Sequence, residues 1–257
     1  MPDNAETLLD CPRVGAEAAP VDLDRQALTK ALHAHIEERE FPCVGAKSAL
    51  ARGSLHVEAA WSVTSAWDDV RIHDRLLAWS RKYRDDDSGL RSFAVVFDGP
   101  DDLTEAQFET AMWDRIQSLA DKDAWRGQGY DERVSADPGD PHFSLSFGEE
   151  AYFVVGLHPN ASRPARRTPH PTLVFNLHDQ FEQLRAKGRY ERMREAILSR
   201  DEALAGSINP MLARHGEASE AAQYSGRHVG EDWVCPFSDP RGAAQTKDQT
   251  GNAGGKA

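Results

Sequence analysis

Four short apolar runs, residues 93–97, 143–147, 152–157 and 172–175, and one alternating stretch, residues 55–63, limit what this chain can fold into. Each falls short of the roughly 10–12 residues of a buried helix, and turn-forming residues flank each one, so all five read as strands. The run at 93–97 ends on Asp98-Gly99-Pro100, as a buried strand does, and the runs at 143–147 and 152–157 have hairpin spacing. Between them the period changes to that of a helix. Leu23, Ala27, Leu28, Ala31, Leu32 and Ile36 form one helical face that Asp22 can cap and Phe41-Pro42 stops. Residues 44–51 read as a short helix closed by Gly53, and residues 67–81 as a third. Thr104 and Gln107 form a T-x-x-Q capping box ahead of Phe108, Met112, Ile116 and Leu119. Phe181 and Leu184, then residues 190–204, supply the last amphipathic helices. Hairpin-spaced strands mixed with helices predict one α+β domain with a mostly antiparallel sheet, not a doubly wound parallel one.

That domain occupies residues 22–237. Residues 1–21 and 238–257 lack apolar periodicity and are expected to be disordered tails. A chain of 257 residues buries roughly three quarters of its unfolded surface and folds without disulfide or metal staples. Its net charge of −12 repels nucleic acid and anionic lipid and favours cationic substrates. No run approaches the ~18 apolar residues of a membrane helix, and the opening MPDNAETLLD has no basic or apolar leader region. The expectation is a cytoplasmic protein without nucleic-acid or membrane partners. Cys11, Cys43 and Cys235, odd in number and far apart, suit a reducing compartment and exclude a disulfide framework.

No G-x-G-x-x-G, Walker A, G-x-S-x-G, H-E-x-x-H or paired C-x-x-C occurs. Chemistry-bearing residues gather instead in three stretches. In Phe41-Pro42-Cys43-Val44-Gly45-Ala46 the cysteine falls at a predicted helix N-terminus, where free N–H groups favour a thiolate, although free cysteine is more often inert core. Leu157-His158-Pro159-Asn160-Ala161-Ser162-Arg163-Pro164-Ala165-Arg166-Arg167 follows a strand directly. Its Arg163, Arg166 and Arg167 can hold carboxylates bidentately, or form a solvated basic turn, and His158 is a ligand or a satisfied structural histidine. The third stretch runs from Ser219 through Gln223, Tyr224, Ser225, Gly226 and Arg227 to Trp233-Val234-Cys235-Pro236-Phe237. It folds over a site or packs an arm onto the core.

Taken together, F-P-C, L-H-P-x-x-S-R-x-x-R-R, L-V-F-N-x-H-x-Q-F-E-x-L-R, N-P-M, Q-Y-S-G-R and W-x-C-P-F, spread over residues 41–237, resemble the YqcI/YcgG family. Some characterised members are heme-dependent N-hydroxylases of guanidine groups in natural-product biosynthesis, D-cycloserine included. The resemblance implies noncovalent heme b, O2 as co-substrate, and N-hydroxylation of a guanidine, L-arginine foremost, by a heme-dependent monooxygenase. A separate electron-donating reductase is implied too, since no flavin or nicotinamide module is fused here. Cys43 and His158 are then the rival axial ligands and catalytic residues, with Cys235 behind them. Arg163, Arg166 and Arg167 become propionate partners, and Tyr224 and Arg227 further cofactor-binding residues. One of these arginines could instead hold a substrate carboxylate, and Glu149, Glu150, Glu182 or Glu220 the guanidinium. The alternative is a heme-binding or sensor protein without turnover.

Overall fold

The computed structural model describes residues 23–85, 89–207, 209, 211 and 217–242. Residues 1–21, with Cys11, and residues 243–257 of the expected tails lie outside the described residues. The chain is a single α+β domain. Helix α1 (Arg25–Glu37) starts on Asp24, whose Oδ1 accepts from the Ala27 N–H at 2.8 Å. Asp22, the expected cap, lies outside the described residues, and Asp24 serves because it stands three residues before the N–H it satisfies. Helix α2 (Val44–Ala51) follows, then strand β1 (Leu55–Ser62), helix α3 (Asp69–Asp85) and strand β2 (Ser92–Gly99). Helix α4 (Glu105–Trp125) carries the complete capping box of Thr104 and Gln107. Strands β3 (Leu145–Phe147), β4 (Glu150–Leu157) and β5 (Thr172–Leu177) lead into helices α5 (His178–Ala186), α6 (Tyr190–Ala205) and the short α7 (Ala221–Tyr224).

The five strands form one sheet in the order β1-β2-β5-β4-β3. Only β1 and β2 run parallel, because α3 carries the chain back between them; the other pairs are antiparallel. The run at 143–147 gives a shorter strand than expected, since Phe143 bridges Ser135 and its N–H bonds Asp140 within a turn. Helix α3 begins two residues later than its apolar pattern implies, leaving Trp67 82% exposed.

Strand alternation divides the interior. Phe93, Val95, Phe97, Tyr152, Val154, Leu173, Phe175 and Leu177 point to one face and pack with α3 and α4 residues such as Ile72, Leu76, Phe108, Met112 and Ile116. The opposite face presents Ala94, Val96 and Val174 to Leu28, Leu32 and Ile36 of α1. On the α3/α4 side, buried Asp123 ties three segments together. It accepts from His73 Nε2 at 2.6 Å, from the Gly148 N–H at 3.0 and 3.1 Å, and from Arg241 at 3.2 Å. The last described segment therefore extends past residue 237. Ser238 exchanges two hydrogen bonds with Gln117, and Arg241 also lies over the Tyr130 ring at 4.5 Å. Residues 238–242, which composition assigned to the C-terminal tail, are among the described residues.

Candidate functional site

A cavity of about 320 Å³ lies on the α1 side of the sheet, within the range that holds small ligands. Ala94, Phe153, Val155 and Val174 make its floor, Leu32, Ile36 and Phe41 one wall, and Met193, Ile197 and Leu198 of α6 the other. Polar groups enter at few points, chiefly Cys43, Arg163, Arg166, Asn176, His178, Asp201, Glu220 and Gln223.

Cys43 is the N-cap of α2. Pro42 keeps Phe41 out of the helical region, so the helix starts beyond the cysteine, whose Sγ accepts from the Ala46 N–H at 3.4 Å. Burial pushes the thiol above its usual range, opposed by the backbone N–H groups of Ala46 and Gly45 and by the charge of Arg166. The helix N-terminus favours a thiolate, as expected, but burial outweighs it and the thiol stays protonated. Gly45 keeps space beside the sulfur, since a Cβ there would stand 3.8 Å from Sγ.

His158 is placed elsewhere. Leu157 faces the cavity, so the next side chain points to the opposite side of β4, where the imidazole stacks on Phe108 at 4.4 Å between centroids. It is buried, its Nδ1 finds no hydrogen-bond partner among the described residues, and desolvation lowers its pKa. Cys43 and His158 are therefore not brought together.

The three arginines have three different fates. Asn160 donates to the Asp101 and Leu103 carbonyls and Ser162 to Glu105, pinning the loop after β4 against the start of α4. Arg163 leaves this loop toward α6 and grips Asp201 through Nε at 2.9 Å and Nη2 at 2.5 Å, with the Ser207 carbonyl at 2.7 Å. Arg167 turns back and bonds the Ala161 and Ser162 carbonyls, so it braces the loop and is absent from the cavity lining. Arg166 is buried and reaches only main-chain carbonyls: Gly156 at 3.0 Å, Tyr224 at 3.2 Å and Gln223 at 2.9 Å. Among the described residues no carboxylate lies within ion-pair distance of it, and burial pulls its pKa down to about 10. Gly226, at φ 79°, makes this path possible, because a Cβ there would meet Arg166 Cγ at 2.9 Å.

Tyr224 and Arg227 are also outside the lining. Tyr224 is fully buried in the α4-side core and donates to Glu220 Oε1 at 2.6 Å, while Arg227 pairs with Glu109. Of the four acidic candidates, only Glu220 reaches the cavity. Glu150 bonds Arg133, Glu182 bonds Arg185, and Glu149 sits in a left-handed turn at φ 65°. Cys235 packs beside Trp233 against the α4-side core, with its thiol raised to about 11 by burial.

Sequence reasoning missed Asp201 and Arg194. Asp201 carries a readable signal, an acidic residue continuing the α6 stripe Tyr190, Met193/Arg194, Ile197, which requires a partner for its charge. Arg194 also lines the cavity and has no ion-pair partner among the described residues. Gln223 stood in the third stretch without an assigned role, and it lines the cavity.

The sequence profile of the YqcI/YcgG family matches residues 32–238. This chain belongs to the YqcI/YcgG family. It is similar to YcgG of Bacillus subtilis (strain 168), an uncharacterised protein, at 28% identity over 208 residues that cover 77% of this chain and 81% of YcgG. No solved structure matches it. Among the described residues, no helix is long and apolar enough to cross a membrane, and no group of three His, Cys, Asp or Glu side chains converges as a metal site.

Proposed function

We propose that this family member is a heme-dependent monooxygenase that hydroxylates a guanidine nitrogen, with L-arginine its leading substrate. The observation that carries the reading is the pairing of Cys43, on the wall of an apolar cavity, with Arg166, a buried guanidinium bonded to main-chain carbonyls and, among the described residues, with no carboxylate within ion-pair distance. A porphyrin makes complementary demands: an apolar slot, one axial donor and cations for its propionates. The residues present fit it. Cys43 would hold the iron, with Gly45 leaving the sulfur approachable, and coordination would favour the thiolate that burial alone disfavours. Arg166 and Arg194 would answer the propionates, while Arg163 holds α6 in place through Asp201.

When bound, the heme supplies the activated oxygen that no side chain here can generate. The protein's own part is binding and orientation. Glu220, fixed by donors from Ser144 at 2.7 Å and Tyr224 at 2.6 Å, presents a carboxylate on the cavity wall and would hold the substrate guanidinium. The apolar walls from α1, Phe153 and α6 exclude water from the reacting nitrogen. Electrons would come from a separate reductase. Cytoplasmic residence, expected from the apolar pattern and cysteine usage, and a role in antibiotic biosynthesis, implied by the family resemblance, complete the reading.

The test is direct. Purified protein reconstituted with heme should show a Soret band, and with a reductant and O2 it should convert L-arginine to an N-hydroxylated product. Failure to retain heme sinks the reading; heme binding without product on any guanidine leaves the carrier or sensor alternative. The ferrous carbonyl spectrum separates thiolate from histidine ligation, and Cys43→Ser should abolish a thiolate-type band that His158→Phe retains.

A further inference from the structure

A row of aromatic side chains, with Glu220 beside it, connects the cavity to the protein surface. Phe153 lines the cavity and meets the Tyr224 ring edge-on at 5.4 Å between centroids. Tyr224 lies 5.8 Å from Trp113, and Trp113 lies 6.4 Å from Trp233, which is half-buried in the arm that ends the domain. Two features exceed what packing requires. The Tyr224 hydroxyl is held 2.6 Å from the carboxylate of Glu220, and a buried phenol can lose an electron readily only if a base stands ready to take its proton. The Trp113 indole N–H is buried with no acceptor among the described residues. An orphaned donor is costly where phenylalanine would fill similar space, and it also gives an oxidised indole no group to which it can lose its proton.

We infer that Tyr224, Trp113 and Trp233 form a relay that carries oxidising equivalents from the cavity to the surface, with Glu220 as its proton acceptor. The inference rests on the monooxygenase reading for its oxidant, a heme centre over-oxidised by O2 or peroxide when no guanidine is in place. Tyr224 gives that centre one electron and its phenolic proton to Glu220 Oε1. Trp113 then returns one electron to Tyr224, the proton comes back from Glu220, and Trp113 is left as the radical cation. Trp233 reduces Trp113 in turn. A solution thiol reduces Trp233 and releases its proton to water, and two such thiyl radicals couple to a disulfide. The hole thus leaves without damaging Cys43 or the apolar lining.

The relay can be tested without heme. Heme-free protein is photo-oxidised with ruthenium tris-bipyridine and persulfate, which attacks exposed and half-exposed aromatic rings, and is then frozen for electron paramagnetic resonance. A tyrosyl signal is expected in the wild type. It should be lost in Tyr224→Phe, retained in Tyr190→Phe and reduced several-fold in Trp113→Phe. Trp233→Phe, at a half-buried position, provides the same interruption where folding is not at risk. A tyrosyl signal that stays at the wild-type level in both Tyr224→Phe and Trp233→Phe overturns the relay whatever the protein's cofactor. In heme-loaded protein given peroxide without substrate, bleaching of the Soret band should accelerate several-fold in the same variants. Loss of heme binding would overturn the monooxygenase reading while the heme-free arm still decides the relay.

Discussion

Removing Asp201 should unfold the site's lid far more than its place in α6 implies. Its carboxylate and Arg163 are 7% and 11% exposed, and their contact is bidentate, at 2.9 and 3.2 Å from Nε and 2.5 Å from Nη2. Asp201→Ala leaves a guanidinium largely out of water with one carbonyl, that of Ser207, for company. Breaking a buried pair from one side costs about 3–5 kcal/mol, and the residual exposure puts this pair near the lower figure. For a chain of this size, about 3 kcal/mol corresponds to roughly 6–12 °C in Tm. Arg163→Met should cost a similar amount, because it strands a carboxylate that is only 7% exposed without its partner. The double variant Arg163→Met/Asp201→Leu should recover most of the loss, since a well-packed apolar pair replaces two ions. Urea denaturation followed by far-UV circular dichroism gives the three values and their coupling. A cost below about 1 kcal/mol for Asp201→Ala, or a double variant as unstable as the sum of the singles, would refute the clamp.

Gly226→Ala should lower stability by about 1–2 kcal/mol from the left-handed backbone alone, with more from displacing Arg166; an unchanged urea midpoint contradicts this. His158 has its pKa lowered by burial from 6.5, so the unfolded chain binds the proton more readily and stability falls as pH drops through and below that value. His158→Phe, which keeps the stack on Phe108, should flatten that acid limb in denaturation curves between about pH 5 and 7, and an unaltered limb rejects the assignment. In heme-loaded protein, Arg166→Gln should speed heme loss measured by transfer to apomyoglobin, whereas Arg167→Gln, at a residue that braces its own loop, should change it little.

Helices and strands were legible because their signals are local. Thr104 and Gln107 cap α4 as the motif requires, and Pro42 sets the start of α2. The parallel pairing of β1 with β2 was not legible, because nothing in either strand's alternation encodes the direction of its neighbour. At the cavity, the motifs marked segments that contribute to its lining but not the direction of each side chain. Leu157 and His158 are adjacent, yet pleating sends one into the cavity and the other onto Phe108. Arg163, Arg166 and Arg167 form one basic cluster in sequence, but a single turn of 3-10 helix at Pro164–Arg166 splays them toward α6, the domain interior and the loop itself. Spacing cannot predict a divergence that depends on where Asp201 and the Tyr224 carbonyl stand.

The unequal faces of the sheet explain why the cavity lies where it does. Strand β2 alternates Phe93, Val95 and Phe97 on the α3/α4 side with Ser92, Ala94 and Val96 on the other, and β5 alternates Leu173, Phe175 and Leu177 with Val174 and Asn176. Large rings fill one side to native density, while small and polar side chains leave depth on the other. Helix α6 covers that depth with half-buried Met193, Ile197 and Leu198, and among its described side chains only Asp201 is buried. A helix whose described side chains bury one ion-paired carboxylate beside a partly exposed apolar stripe belongs to the low-stability end of the domain, whereas α4, with ten buried residues, belongs to the high end. Opening at α6 would admit a ligand to the cavity without disturbing the packed face behind it, and the Arg163–Asp201 contact would resist that opening.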